Sequence, residues 1–248
     1  MVLYAVYRAP KESKGRSLVP RRLRELGCRQ AHRSFWEIKE EKVSKVLKVL
    51  EKNRPILLKR VREIRKPRFV KSGGISELGS LIIVMYAAPI EVKRERIKNF
   101  LVKAPCIRLC RSVYAFSQNH SFFDRGNELV DAFKFATFIK GIQGDVKVIP
   151  RVVAATAGSN ERLLQEVRGQ MEGKVSDIIE SCKELYQKAL RGDDIAPIRS
   201  SLSKNKKRLL AVKKVVTFHE KWLRMDFSRS LMKSYKAFKK VSSTVNRK

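Results

Sequence analysis

Acidic side chains are scarce: 24 Asp and Glu stand against 56 Lys and Arg in 248 residues, a formal net charge of +32. A compact chain with that imbalance repels itself, and an anionic partner relieves the repulsion. Long apolar runs are missing as well. No stretch of about 18 consecutive apolar residues exists, which excludes a transmembrane helix. The opening MVLYAVYRAP lacks the basic start, long apolar stretch and small-residue cleavage site of a secretory signal. Cysteines number 4 (Cys28, Cys106, Cys110 and Cys182), too few and too scattered for a disulfide framework. These absences lead to the expectation of a cytoplasmic protein. Hydrophobic residues still make up 43% of the chain, so it has the means to build cores and is not a disordered basic tail.

Enzyme signatures are equally thin. The chain has no GxxxxGKS/T, no strand-linked GxGxxG and no HExxH. Its histidines (His32, His120 and His219) have no Ser or Cys neighbour that suggests a nucleophile–base pair. Cys106, Cys110 and His120 supply three potential zinc ligands at irregular spacing, short of a closed tetrahedral set, and buried thiols are the simpler reading. Asp124 with Asp131, and Asp193 with Asp194, read as loop and helix-face carboxylates rather than an acid–base pair. No catalytic residue, metal site or cofactor is expected.

The positive charge is unevenly placed. Residues 1–72 hold 22 Lys and Arg against 7 acids, net +15; residues 73–198 hold 18 against 15, net +3; residues 199–248 hold 16 against 2, net +14. General surface charging would be more even, so two basic ends flanking a near-neutral middle point to a polyanion, with nucleic acid foremost.

The chain also repeats itself at an offset near 79 residues. VLYAVYRAP at 2–10 matches LIIVMYAAP at 81–89, aligning Tyr7 with Tyr86 and Pro10 with Pro89. AHRSFWEI at 31–38 matches LCRSVYAF at 109–116, aligning Arg33 with Arg111, Ser34 with Ser112 and Trp36 with Tyr114. Each copy reads as strand, helix, strand, helix, strand. Val2–Tyr7 and Leu81–Tyr86 are apolar first strands. Amphipathic helices fit 16–27 and 91–103, with Gly27 a C-cap, and later helices fit 39–52 and 126–142. The RSFW and RSVY segments read as second strands, and Ile56–Ile64 and Val146–Val153 as third strands. With a short middle hairpin the order is βαββαβ, a ferredoxin-like sandwich.

KSGGISELGS at 71–80 reads as a linker, and KRVREIRKPRFVK at 59–71 as a charged edge strand or a nucleic-acid arm. Beyond the second copy the pattern changes. Helices fit 160–190, 198–218 and 227–242, broken by RGDDIAP at 191–197. The expected fold is therefore α+β: a basic ferredoxin-like module over 1–72, a second over 79–156, and a basic helical region over 159–248.

At these residues the chain resembles known families. A first strand ending in Tyr, a basic helix ending near Gly, and the strands Gln30-Ala31-His32-Arg33-Ser34-Phe35-Trp36 and Arg111-Ser112-Val113-Tyr114 resemble the small ferredoxin-like subunit of CRISPR spacer acquisition. Residues 80–240 also resemble the N-terminal part of chromate-resistance regulators, through LIIVMYAAPIEVKRERI, SVYAF, GDVKVIPRVV and WLRMDF, and the phenylacetate-degradation repressors share that middle module. In the CRISPR family the first strand ends in Tyr-Asp, and the aspartates are proposed to hold a metal for phosphodiester cleavage. Here the dipeptides are Tyr7-Arg8 and Tyr86-Ala87, so the resemblance does not extend to that site.

The resulting expectation is a non-enzymatic protein binding DNA or RNA through phosphate contacts, with no membrane attachment. The residues singled out for nucleic-acid contact are Lys14, Arg16, Arg21, Arg22, Arg24 and Arg33 in the first copy, and Lys204, Lys206, Lys207, Arg208, Lys213 and Lys214 in the helical region. Trp36 and Tyr114 hold matching strand positions, open to base stacking or to core packing. The C-terminal helices also suit a protein partner. A metal-dependent nuclease and a transcription regulator are the alternatives.

Overall fold

A computed structural model describes residues 2–8, 18–71, 74–92, 94–118 and 129–247. Lys14, Arg16, His120 and Asp124 lie outside the described residues. The two matched apolar runs become β1 (Leu3–Val6) and β7 (Leu81–Ala87). Their backbones alternate between two buried faces. Leu3, Ala5 and Tyr7 join one hydrophobic cluster and Tyr4 and Val6 another, so both faces of the first strand are covered.

The first copy continues through α1 (Leu18–Glu25), β2 (Arg29–His32), β3 (Phe35–Ile38), α2 (Val43–Leu50) and β4 (Ile56–Arg60). The second copy follows β7 with α3 (Arg94–Val102), β8 (Cys106–Cys110), β9 (Val113–Ser117), α4 (Ala132–Gly141) and β10 (Asp145–Ala154). A small hairpin, β5 (Arg68–Phe69) and β6 (Ile75–Glu77), separates them. One eight-stranded sheet runs β2-β3-β1-β4-β10-β7-β9-β8, and every pairing described in it is antiparallel.

Local sequence explains several boundaries. Gly27, at φ +70°, ends α1: its N–H donates to Arg24 O at 2.7 Å, and that of Cys28 donates to Leu23 O at 3.0 Å. The repeated Arg-Ser dipeptides fall not inside a second strand but in two-residue hairpin turns, Arg33-Ser34 between β2 and β3 and Arg111-Ser112 between β8 and β9. Each turn is held alike. Tyr7 N–H donates to Ser34 O at 3.2 Å, and Tyr86 N–H to Ser112 O at 3.0 Å.

β10 is the seam of the sheet. Asp145 to Ile149 pair with β7, and Val152 to Ala154 pair with β4. The break falls at Pro150, which has no ladder donor, and at Arg151, whose φ is +58°. The displaced Arg151 N–H donates to Gln118 Oε1 at 2.7 Å.

Helices cover both sides. α1 and α2 bury Leu23, Val46 and Leu50 against Trp36 and Leu57; α3 and α4 bury Ile97, Phe135 and Ile139 against Val84 and Phe116. The opposite face carries Tyr4, Phe35, Leu58, Ile83 and Ile107, and packs on α5 (Ala157–Arg191), α6 (Ile195–Leu223) and α7 (Ser228–Asn246). α5 is fastened at its start, where Ser159 Oγ accepts from Leu57 N–H at 2.9 Å and Asn160 Oδ1 from Leu78 N–H at 3.0 Å. Trp222 Nε1 donates to Leu78 O at 3.1 Å. No helix among the described residues is long and apolar enough to cross a membrane.

Candidate nucleic-acid interface

The basic residues of the first copy sit on α1 and the turn beyond it. Leu23 is buried, which leaves Arg21, Arg22 and Arg24 on the exposed side of a short helix. Arg21 pairs with Glu25 at 3.0 Å, an exposed pair worth only a few tenths of a kcal/mol. Arg24 Nη2 donates to Gln30 Oε1 at 3.0 Å, and Gln30 Nε2 donates to Arg33 O at 2.7 Å, so one glutamine links α1 to the β2–β3 turn.

That turn lies close to the second copy as well. The sheet curls until the end of β1 reaches the far edge strand: Arg8 Nη2 donates to Arg108 O at 2.9 Å, and Arg8 Nε to Leu109 O at 3.4 Å. The curl brings the β2–β3 turn beside the β8–β9 turn. Between them and α3 opens a cavity of about 550 Å³ whose wall carries Arg33, Arg94, Lys98, Arg108, Arg111 and His32. Among the described residues, no Asp or Glu lines it. Its floor holds Tyr86 and Tyr114, whose rings stack 6.2 Å apart at 18°.

The charge there faces solvent. Arg33, Arg94, Lys98, Arg108 and Arg111 are all exposed. His32 is half-buried; desolvation first, and then the Arg33 charge, lower its pKa, favouring the neutral imidazole. Its Nε2 is shielded from solvent and has no hydrogen-bond partner among the described residues. Burial raises the pKa of the Tyr114 phenol, keeping it a hydroxyl donor at neutral pH. Such a wall can bind phosphate oxygens through forked guanidinium contacts, with a hydroxyl and an imidazole to complete the shell.

The helical region's cations lie elsewhere. Lys204, Lys206, Lys207, Lys213 and Lys214 are exposed on α6, while Arg208 is spent partly on Asp177 at 2.9 Å. α6 buries Leu209, Val212 and Val216 on the Tyr4 face of the sheet, whereas α1 covers the Leu3 face. The sheet therefore lies between the arginines of α1 and the lysines of α6.

The sequence does not single out Arg108 and Arg111 as partners of Arg33, because residues 73–198 average close to neutral. The average concealed them because α5 holds Glu161, Glu166, Glu172, Asp177, Glu180 and Glu184, away from the cavity. The Arg33–Arg111 repeat match was the available signal.

Other candidates resolve plainly. Trp36 is wholly buried, with the Arg24 guanidinium 6.0 Å from its ring, so it is core and unavailable for stacking on a base. Cys106 and Cys110 are buried in clusters on opposite faces of the sheet, and burial pushes both thiols up to about 11. Asp131 caps α4 by accepting from Lys134 N–H at 2.7 Å, and Asp194 caps α6 by accepting from Ala196 N–H at 3.1 Å. The 59–71 stretch leaves the sheet after Arg60 and returns as the β5–β6 hairpin, where Arg224 stacks 4.0 Å over Phe69.

Comparison with known family models, curated proteins and solved structures returns no match to this chain.

Proposed function

We propose that the protein binds DNA or RNA through its phosphates, without cleaving it, on a scaffold of two tandem ferredoxin-like modules. The observation that carries this reading is the cavity where the two hairpin turns meet. It presents five cations, has no carboxylate among the described residues of its wall, and is joined through Gln30 to the arginines of α1. The scaffold reading draws support from the strand orders β2-β3-β1-β4 and β8-β9-β7-β10, the same path in both copies. In the first copy Arg8 stands where the CRISPR subunit family has aspartate, and it is engaged with Glu166 and two backbone carbonyls. Ala87 stands at the second position and offers no ligand to a hard cation.

A salt titration of binding to a short duplex and a single strand tests the reading. Each neutralised phosphate contributes roughly 0.7–0.9 to the slope of log affinity against log salt. A slope of several units is expected. No binding at low salt, or a flat dependence, contradicts the proposal.

A further inference from the structure

The cavity's lining is mixed, and a surface that only tracks a backbone has no need of apolar groups. Beside its cations it carries Pro89, Ile97 and Leu101, together with Tyr86 and Tyr114. A row of phosphates gains nothing from those apolar groups, whereas a nucleoside does. At about 550 Å³ the space suits one nucleotide and not a duplex. Three arginines, Arg33 and Arg111 on the two turns and Arg108 on β8, also exceed what a single phosphodiester charge requires. A phosphate monoester carries about −1.5 to −2 near neutral pH and offers three acceptor oxygens. The solvent-shielded His32 Nε2, without a hydrogen-bond partner among the described residues, is a further polar atom in that wall.

From this mixed lining we infer that the cavity holds the phosphorylated end of a nucleic-acid strand: the terminal phosphate monoester on Arg33, Arg108 and Arg111, its nucleoside against the apolar and aromatic residues. The rest of the strand leaves along Gln30 toward Arg22 and Arg24 on α1. The inference rests on the nucleic-acid reading above and adds that one end of the strand is recognised. A free nucleoside monophosphate shares the chemistry, but it lacks the following phosphates that α1 would meet.

Fluorescence anisotropy of the full-length protein decides it, with single-stranded oligonucleotides of one sequence bearing a 5′-phosphate, a 3′-phosphate or no terminal phosphate. One of the two phosphorylated ends is expected to bind about tenfold more tightly than the unphosphorylated strand, the worth of about one charge-assisted hydrogen bond. Arg111→Gln should abolish that preference. Lys98→Gln, on the exposed flank of α3, should reduce it without touching either hairpin turn. Neutralising Arg21, Arg22 and Arg24 together should weaken all three strands and leave the ratio intact. Equal affinity for all three strands, or a preference that survives Arg111→Gln, overturns the end site while leaving nucleic-acid binding standing. Failure to bind any strand removes the underlying reading instead. A free nucleoside monophosphate competing mole for mole with the phosphorylated strand overturns the strand end in favour of a free nucleotide.

Discussion

Arg8 Nη2 lies 2.6 Å from Glu166 Oε2, tying the end of the first β-strand to the long helix α5. The same guanidinium donates to the carbonyls of Arg108 and Leu109 on the far edge strand. One side chain therefore pins the curl that sets the two hairpin turns side by side. Replacing Arg8 by Ala is expected to cost about 1–2 kcal/mol, modest because the site is half exposed. Arg8→Asp should cost more, since it sets a second carboxylate against Glu166. Denaturant midpoints at constant m-value check both, and an Arg8→Asp protein as stable as the unsubstituted one would contradict this role.

His219 is wholly buried, beside Trp222 and Phe218, and neither ring nitrogen has a hydrogen-bond partner among the described residues. Desolvation, reinforced by the Lys174 charge, pushes its pKa down to about 3. Folded, it stays neutral; unfolded, it protonates near 6.5. The unfolded state thus binds the extra proton, and stability falls as pH drops from about 6.5 toward 3, by up to ~1.4 kcal/mol per unit. His219→Leu should flatten that part of the stability curve relative to the unsubstituted protein. It should also stabilise the fold at low pH, because a buried imidazole without partners is removed. Parallel stability curves for the two proteins would contradict this.

Trp36 is expected to matter for folding and not for contact with bases. Truncation to Ala removes a fully buried indole from between α1 and the sheet, at a cost of about 3–5 kcal/mol. Trp36→Phe retains most of the volume. Its folded fraction should bind nucleic acid with unchanged affinity, measured by anisotropy at a temperature where it remains folded.

The two basic clusters should respond separately to salt. Neutralising Arg33, Arg108 and Arg111 is expected to lower the slope magnitude by about 0.7–0.9 for each phosphate no longer neutralised. Neutralising Lys204, Lys206 and Lys207 on α6 should leave the slope for a short oligonucleotide unchanged, because none of these lysines lines the cavity. Equal reductions from both sets would mean that one ligand wraps both faces.

Much of the architecture was legible because it rests on local patterns. Apolar runs gave β1 and β7, helical periodicity and the RGDDIAP break gave α5 and α6, although α5 starts at Ala157 behind a Thr156 cap rather than at residue 160, and Gly27 marked the end of α1. The least legible strand of the sheet is polar and lies at its edge. β2, Arg29–His32, has no buried residue and no alternation to read; its partner β3 supplies the apolar face. Arg33-Ser34 and Arg111-Ser112 look like strand continuation, since neither turn contains Gly or Asn. The third strand stops at Arg60 rather than Ile64, because beyond it the chain pairs with itself in a hairpin. The cavity was illegible for a different reason. It joins residues as far apart as His32 and Tyr114, which the curl of the sheet, held in part by Arg8, brings together.

The central claim is that strand phosphates meet the cavity between the two hairpin turns. Photo-crosslinking of a short oligonucleotide to the full-length protein, with the attached residues located by mass spectrometry, tests it most directly. Crosslinks are expected at Arg33, Tyr86, Arg111 and the exposed side of α3, extending to α1. Crosslinks confined to α6 and α7, with none at either hairpin turn, would contradict the claim.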